Sequence, residues 1–120
     1  MSKYCITDKS CPVEDTLSVI GGKWKVLILW HLYDEGIMRF GELRKVLARI
    51  TQKMLIQQLR ELEEDGLVRR NIYRQVPPRV EYSLTEMGKS IKGILDSMCD
   101  WGTGYREYKK QLEMNMKNPL

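Results

Sequence analysis

The 120-residue chain reads as mainly α with a small β-hairpin, an α+β arrangement. Two observations carry this reading. Apolar residues recur at helical spacing along most of the length, and the one long interruption, residues 67–84, alternates with the period of two that marks strands. Glycine and proline fall between these segments, where the chain must turn.

The elements follow in order. Cys11-Pro12 opens a first helix that runs to Ile20, with Pro12 suited to the first helical position and Gly21-Gly22 ending it. Residues 24–33 are apolar almost all round (Trp24, Val26, Leu27, Ile28, Leu29, Trp30, Leu32), which predicts a buried central helix stopped by Gly36. Residues 38–40 make a minor strand, and residues 41–48 a third helix with Leu43 and Leu47 inward and Arg44 and Lys45 outward. Ile50-Thr51 opens a fourth helix, because the Thr51 hydroxyl can accept from an unpaired backbone N–H and Ile50 can staple onto Leu55. Asp65-Gly66 closes it, with Gly66 as the left-handed cap. Leu55, Leu59 and Leu62 form its inward stripe. In the hairpin, Val68, Arg70, Ile72 and Arg74 alternate on one strand and Val80, Tyr82 and Leu84 on the other. The Gln75-Val76-Pro77-Pro78 loop joins them, since two prolines exclude a continuous strand.

Four helices leading into a hairpin and then a C-terminal helix describe a winged helix-turn-helix with an added dimerisation helix. Residues 1–10 form an arm, 11–85 the DNA-binding domain and 86–120 the C-terminal dimerisation segment. The fourth helix presents Lys53, Gln57 and Arg60 on its polar N-terminal half, the end that a helix-turn-helix protein points into the major groove. Its second half turns acidic (Glu61, Glu63, Glu64, Asp65), so only the N-terminal end is expected to approach phosphate. Net charge is +4 overall, yet residues 37–80 alone hold ten Lys/Arg against five acids. That concentration of positive charge suits a polyanion partner. The residues expected to touch DNA are Thr51, Gln52, Lys53, Gln57 and Gln58 for bases and phosphates and Arg60 for phosphate. Arg74, Gln75 and Arg79 supply the hairpin's grip on the backbone or minor groove.

Four motifs, Gly21-Gly22-Lys23-Trp24, Arg39-Phe40-Gly41-Glu42-Leu43, Gln58-Leu59-Arg60-Glu61-Leu62-Glu63-Glu64-Asp65-Gly66-Leu67-Val68 and Val76-Pro77-Pro78-Arg79-Val80-Glu81-Tyr82-Ser83-Leu84-Thr85, closely resemble the HxlR-type bacterial transcription regulators in order and spacing. The resemblance spans residues 11–101. It implies a dimeric winged helix that binds double-stranded operator DNA and represses nearby genes. It also implies, for some members, sensing of oxidants or electrophiles through a cysteine just before the first helix, the position of Cys11-Pro12.

Dimerisation has support of its own. Met87, Ile91, Ile94, Met98, Trp101, Tyr105, Tyr108 and Leu112 alternate at spacings of four and three, a 3.5-residue repeat that keeps one apolar seam on a helix. If unbroken over residues 86–112 that helix would be ~40 Å long, more than so small a core covers alone. The bland reading is that its first half packs on its own domain, with Gly102 and Gly104 splitting it in two.

The three cysteines, Cys5, Cys11 and Cys99, lack the paired spacings of zinc sites, so no metal and no cofactor are expected. Cys99, near the seam, reads as a small buried apolar residue. At a helix start the Cys11 thiolate would face the positive end of the backbone dipole, which favours reactivity, while Glu14 and Asp15 oppose it. Cys5 is either a resolving thiol for Cys11 or simply exposed. An enzyme is not expected. His31 sits in the most apolar helix without a nucleophile beside it, and Gly21-Gly22-Lys23 lacks the spacing of a phosphate loop. No apolar run approaches the ~20 residues that cross a bilayer, and residues 1–10 are too polar for a signal peptide, so a cytoplasmic protein is expected. Two other readings stay open, a small-ligand-responsive regulator without redox sensing and a winged-helix protein-interaction module. The cationic, amide-rich face around Lys53 and Gln57 argues against the second, with Ile56 the one dissenting side chain.

Overall fold

The computed structural model describes residues 11–117, which divide after Ser90 into two compact units. The first unit holds α1 (Pro12–Ile20), α2 (Trp24–Glu35), β1 (Ile37–Arg39), α3 (Phe40–Val46), α4 (Gln52–Glu64), β2 (Val68–Tyr73), β3 (Arg79–Leu84) and α5 (Glu86–Lys89). The second holds α6 (Lys92–Lys117).

Mainly helical structure with a small antiparallel sheet matches the sequence reading. The minor strand sits one residue earlier than expected, and it joins the hairpin. Strand order is β1-β3-β2, with Met38 opposite Tyr82 and Arg70 opposite Tyr82 from the other side. The two helices of the helix-turn-helix are α3 and α4. Ile28, Leu29 and Leu32 of α2, Leu43 of α3, Leu47 and Ile50 of the turn, and Leu55, Leu59 and Leu62 of α4 are all buried together with Val68, Tyr82 and Leu84 of the sheet. Burial of this kind stabilises by roughly 25 cal/mol per Å² of apolar surface, and it fixes α4 by its inner face only.

The expected central helix differs in one respect. Only one face of α2 is fully buried, and that face includes Lys25. Trp24, Val26, Leu27, Trp30 and His31 are half-buried and Tyr33 is exposed. An all-apolar helix lacks a preferred side in its sequence, so its neighbours choose the face.

The C-terminal helix breaks where the sequence did not suggest. Ser90 and Ile91 separate α5 from α6, and α6 then runs for 26 residues through Gly102 and Gly104 without interruption. At ~1.5 Å per residue it is about 39 Å long. Glycine weakens a helix interior by only ~1 kcal/mol, which its neighbours along α6 offset. Met87 therefore lies on α5 and Ile91 in the break, so the seam is not carried by one helix. Leu95 is the one buried residue of α6. Beyond it nothing along the helix is buried, and Cys99 is accordingly exposed rather than buried.

Candidate nucleic-acid interface

The start of α4 is fixed as its sequence requires. Oγ1 of Thr51 accepts from the Met54 backbone N–H at 3.0 Å. At the other end Gly66 takes φ +81°, its N–H donates to the Glu63 carbonyl, and the Leu67 N–H donates to the Leu62 carbonyl, the paired bonds of a Schellman cap. The hairpin is tied to this cap. Thr85 donates from its backbone N–H to the Leu67 carbonyl at 3.0 Å and from Oγ1 to the Gly66 carbonyl at 2.5 Å. Helix and hairpin are thus held in one mutual geometry by one backbone bond and one bond from the Thr85 hydroxyl.

With the leucine stripe inward, Gln52, Lys53, Ile56, Gln57, Arg60, Glu61 and Glu64 line one open concavity along the outer face of α4. Gln52, Lys53, Gln57 and Arg60, four of the residues expected at DNA, come together there and are exposed. Gln58 does not join them. It is half-buried on the flank, and its amide donates to Sδ of Met54 at 3.5 Å. Thr51 is occupied as the cap. Ile56 is half-buried because it also lines a second groove, between α4 and the hairpin, so it is not an exposed apolar anchor.

The acidic half of α4 is less negative than its sequence suggests. Lys25 Nζ donates to Glu61 Oε1 at 2.8 Å, and Arg70 Nε lies 3.6 Å from Glu63 Oε1. Hydrogen bonding from Lys25, then from Gln57, then the Lys25 charge hold the Glu61 carboxyl below its ordinary 4.5. Neither partner could be placed from local sequence, since Lys25 lies 36 residues from Glu61. A signal was present nonetheless. Lys25 is the one charge within the apolar run of α2, and a buried ammonium demands a carboxylate.

At the hairpin tip Arg74, Gln75, Val76, Pro77 and Pro78 are exposed, and among the described residues Arg74 makes no ion pair. Arg79 differs from the expected free cation. It is half-buried on β3, and Nε lies 3.0 Å from Glu81 Oε2, close enough to pair but too bent for a hydrogen bond.

In α6, Ile94, Met98, Trp101, Tyr105, Tyr108 and Leu112 are exposed, whereas Ile91 before it is buried. Trp101 and Tyr105 stack with ring centroids 5.3 Å apart and planes within 6°, and Tyr108 follows at 6.1 Å. Cys11 is the N-cap of α1, half-buried and disulfide-bonded; its candidate partner Cys5 lies outside the described residues. Glu14 and Asp15 occupy the first turn beside it. Gly21-Gly22-Lys23 forms a turn, with Lys23 Nζ 4.6 Å from the centre of the Trp24 ring. Among the described residues no group of three His, Cys, Asp or Glu could hold a metal ion, and no helix is long and apolar enough to cross a membrane.

Residues 19–110 match the HxlR-like helix-turn-helix family. The chain is 52% identical over 109 residues to the uncharacterized HTH-type transcriptional regulator YdeP of Bacillus subtilis (strain 168), covering 91% of this chain and 84% of that protein. Among solved structures, the redox regulator HypR in its reduced form superposes with a TM-score of 0.78 at 52% identity, covering 83% of this chain and 98% of that one. Its oxidized form gives 0.74 at 55% identity, over 78% and 96%. The fold is that of a winged helix-turn-helix regulator, and the chain belongs to the HxlR-like family of DNA-binding transcription regulators.

Proposed function

We propose that the protein is a homodimeric, sequence-specific repressor that reads operator DNA with the N-terminal half of α4 and responds to thiol oxidation through Cys11. The carrying observation is the exposed cluster of Gln52, Lys53, Gln57 and Arg60 on a helix held by its opposite face. Amides and cations at the front of such a helix meet base edges and phosphates. Gln57 offers an amide donor and a carbonyl acceptor, the pair that adenine complements at N7 and N6. Thr51 and Gln58 act at the edges of this face, and Arg74, Gln75 and Arg79 reach the backbone beside it.

The dimer rests on the exposed stripe of α6, since monomers rarely leave so much contiguous apolar surface in water. Ile94, Met98, Trp101 and Tyr105 supply it, and Met87 on α5 and the buried Ile91 before α6 complete the proposed interface. Residues 11–85 then read DNA, 86–120 join protomers, and 1–10 form an arm. Cytoplasmic residence follows from a chromosomal ligand. Redox control rests on the helix-start position of Cys11 and on likeness to a protein described as a redox regulator and solved in oxidized and reduced forms.

Selection of bound duplexes from a random pool, followed by fluorescence anisotropy on the selected sequence, tests the reading. Gln57→Ala should relax preference at one position per half-site and cost ~1–3 kcal/mol. Lys53→Ala should weaken all duplexes alike and shallow the salt dependence by about one phosphate contact. Wild-type binding and salt slope in both variants would exclude this face.

A further inference from the structure

We propose that the groove between α4 and the hairpin binds a small aromatic monocarboxylate, and that this ligand competes with DNA. The groove is about 330 Å³, at the lower end of volumes that hold small molecules. Its apolar wall is made by Phe40 and Ile56 on one side and Val80 and the Tyr82 ring on the other. The sheet register explains the polar set. Arg70 stands directly opposite Tyr82, and Ile72 opposite Val80, so the Arg70 and Tyr82 side chains leave the same face of the hairpin toward α4. Arg60 of α4 closes the opposite wall.

Two guanidiniums and one phenol thus converge on an apolar slot. Arg60 makes no ion pair among the described residues, and the Tyr82 hydroxyl makes no hydrogen bond among them. Burial raises the Tyr82 pKa, with Arg70 and Arg60 opposing and Glu63 adding to it, so at neutral pH the phenol keeps its proton and remains a donor. Glu63 engages Arg70 at 3.6 Å and leaves the groove with a surplus of one positive charge. A monoanion matches that surplus. A dianionic phosphate would face the Glu63 carboxylate and gain nothing from the apolar wall, whereas an aromatic ring buries against it.

The binding claim stands on the groove alone. Competition rests on the function proposed above, because Gln52 and Arg60 line the groove and also belong to the DNA-facing set.

Calorimetric titration of the full chain without DNA, using 2-naphthoate, 2-naphthamide and inorganic phosphate as probes, tests binding. Saturable naphthoate binding at least tenfold tighter than naphthamide or phosphate is expected. Arg70→Gln and the isosteric Tyr82→Phe should each weaken it fivefold or more while keeping the wild-type melting curve. No saturable binding, equal affinity for naphthamide, tighter phosphate binding, or indifference to both variants would overturn the site. In a separate arm, naphthoate should release the selected duplex from wild type but not from Arg70→Gln. Naphthoate binding by a protein that retains no duplex at all would refute the DNA reading and leave the site standing. Naphthoate binding without release of bound duplex would overturn the competition.

Discussion

Lys25 on α2 donates from Nζ to Oε1 of Glu61 on α4 at 2.8 Å, joining the central helix to the second helix of the helix-turn-helix through a side chain that is itself buried. The pair predicts an asymmetry between its members. Glu61→Gln leaves a buried ammonium without its counter-charge, whereas Lys25→Met removes that charge and leaves a carboxylate that reaches water. Melting temperatures at pH 7 should therefore fall further for Glu61→Gln than for Lys25→Met. Equal or inverted losses would mean that the ammonium is solvated. The pH dependence has a definite sign. Since folding depresses the Glu61 pKa below 4.5, its contribution is present above that value and lost as pH falls through the lower folded value. The gap between wild type and Glu61→Gln should be constant near neutrality and narrow below about pH 4.5.

The two hairpin arginines should separate by salt titration. Arg74 is exposed and without an ion pair among the described residues, while Arg79 is half-buried beside Glu81. Arg74→Ala should lower the slope of log affinity against log salt by about 0.9, the value for one phosphate contact. Arg79→Ala should change the slope less, because Glu81 already offsets its charge. A larger loss for Arg79→Ala would show that Arg79 leaves Glu81 when DNA arrives.

Much of this fold was legible because its signals are local. Thr51, Gly66 and the leucines of α4 each specify their own conformation or face within one helical turn, and all are found where the sequence placed them. The four-residue cluster of Gln52, Lys53, Gln57 and Arg60 follows from that phase alone. What stayed hidden depends on pairing across the chain. Nothing near Glu61 announces Lys25, nothing near Glu63 announces Arg70, and the half-burial of Arg79 appears only once β3 is central in the sheet. The break at Ser90 and Ile91 was missed for a different reason. A period of 3.5 records which side is apolar and carries no signal of its own for a two-residue break in the backbone.

Gly88 lets α5 pack closely on the hairpin just before that break. It is buried on α5, and a Cβ there would lie 2.1 Å from the Leu67 carbonyl oxygen and 3.2 Å from Cδ2 of Leu84. Backbone cannot yield as a flexible side chain does, so Gly88→Ala should cost about 1–3 kcal/mol in chemical denaturation, against the slight gain that Ala usually brings to a helix. Gly102→Ala and Gly104→Ala meet open space and should stabilise by up to ~1 kcal/mol. A neutral Gly88→Ala would mean that α5 has room to move off the hairpin.

The α6 stripe makes a prediction about assembly. Met98 is half in solvent in a single chain, and three residues on begins the aromatic run of Trp101, Tyr105 and Tyr108. If this stripe joins protomers, Met98→Asp buries an unpaired carboxylate at the junction and should yield monomers in sedimentation velocity. The same variant should lose its preference for two half-sites ~34 Å apart, one helical turn, while keeping weak single-site binding. An unchanged dimer would move the interface elsewhere.

Cys11 raises the question of how a bond at a helix start reaches DNA. It caps α1, whose Val13 and Leu17 are exposed one turn apart, so a change at the cap can tilt a helix that the core holds mainly at Ile20. Disulfide formation removes two hydrogens from a pair of thiols and passes them to the oxidant, leaving the protein's charge unaltered except where a thiolate was lost. The effect on DNA must then be geometric, and it exists only if the oxidised and reduced pairs prefer different spacings of the two α4 helices. For protein first reduced with dithiothreitol, since Cys11 is disulfide-bonded in this structure, operator affinity before and after diamide should change for wild type and for Cys99→Ser, whose thiol is free and exposed on α6. It should stay constant for Cys11→Ser. A response that persists in Cys11→Ser assigns sensing to another thiol, and a wild type indifferent to diamide leaves control to a ligand such as the one proposed for the α4 groove.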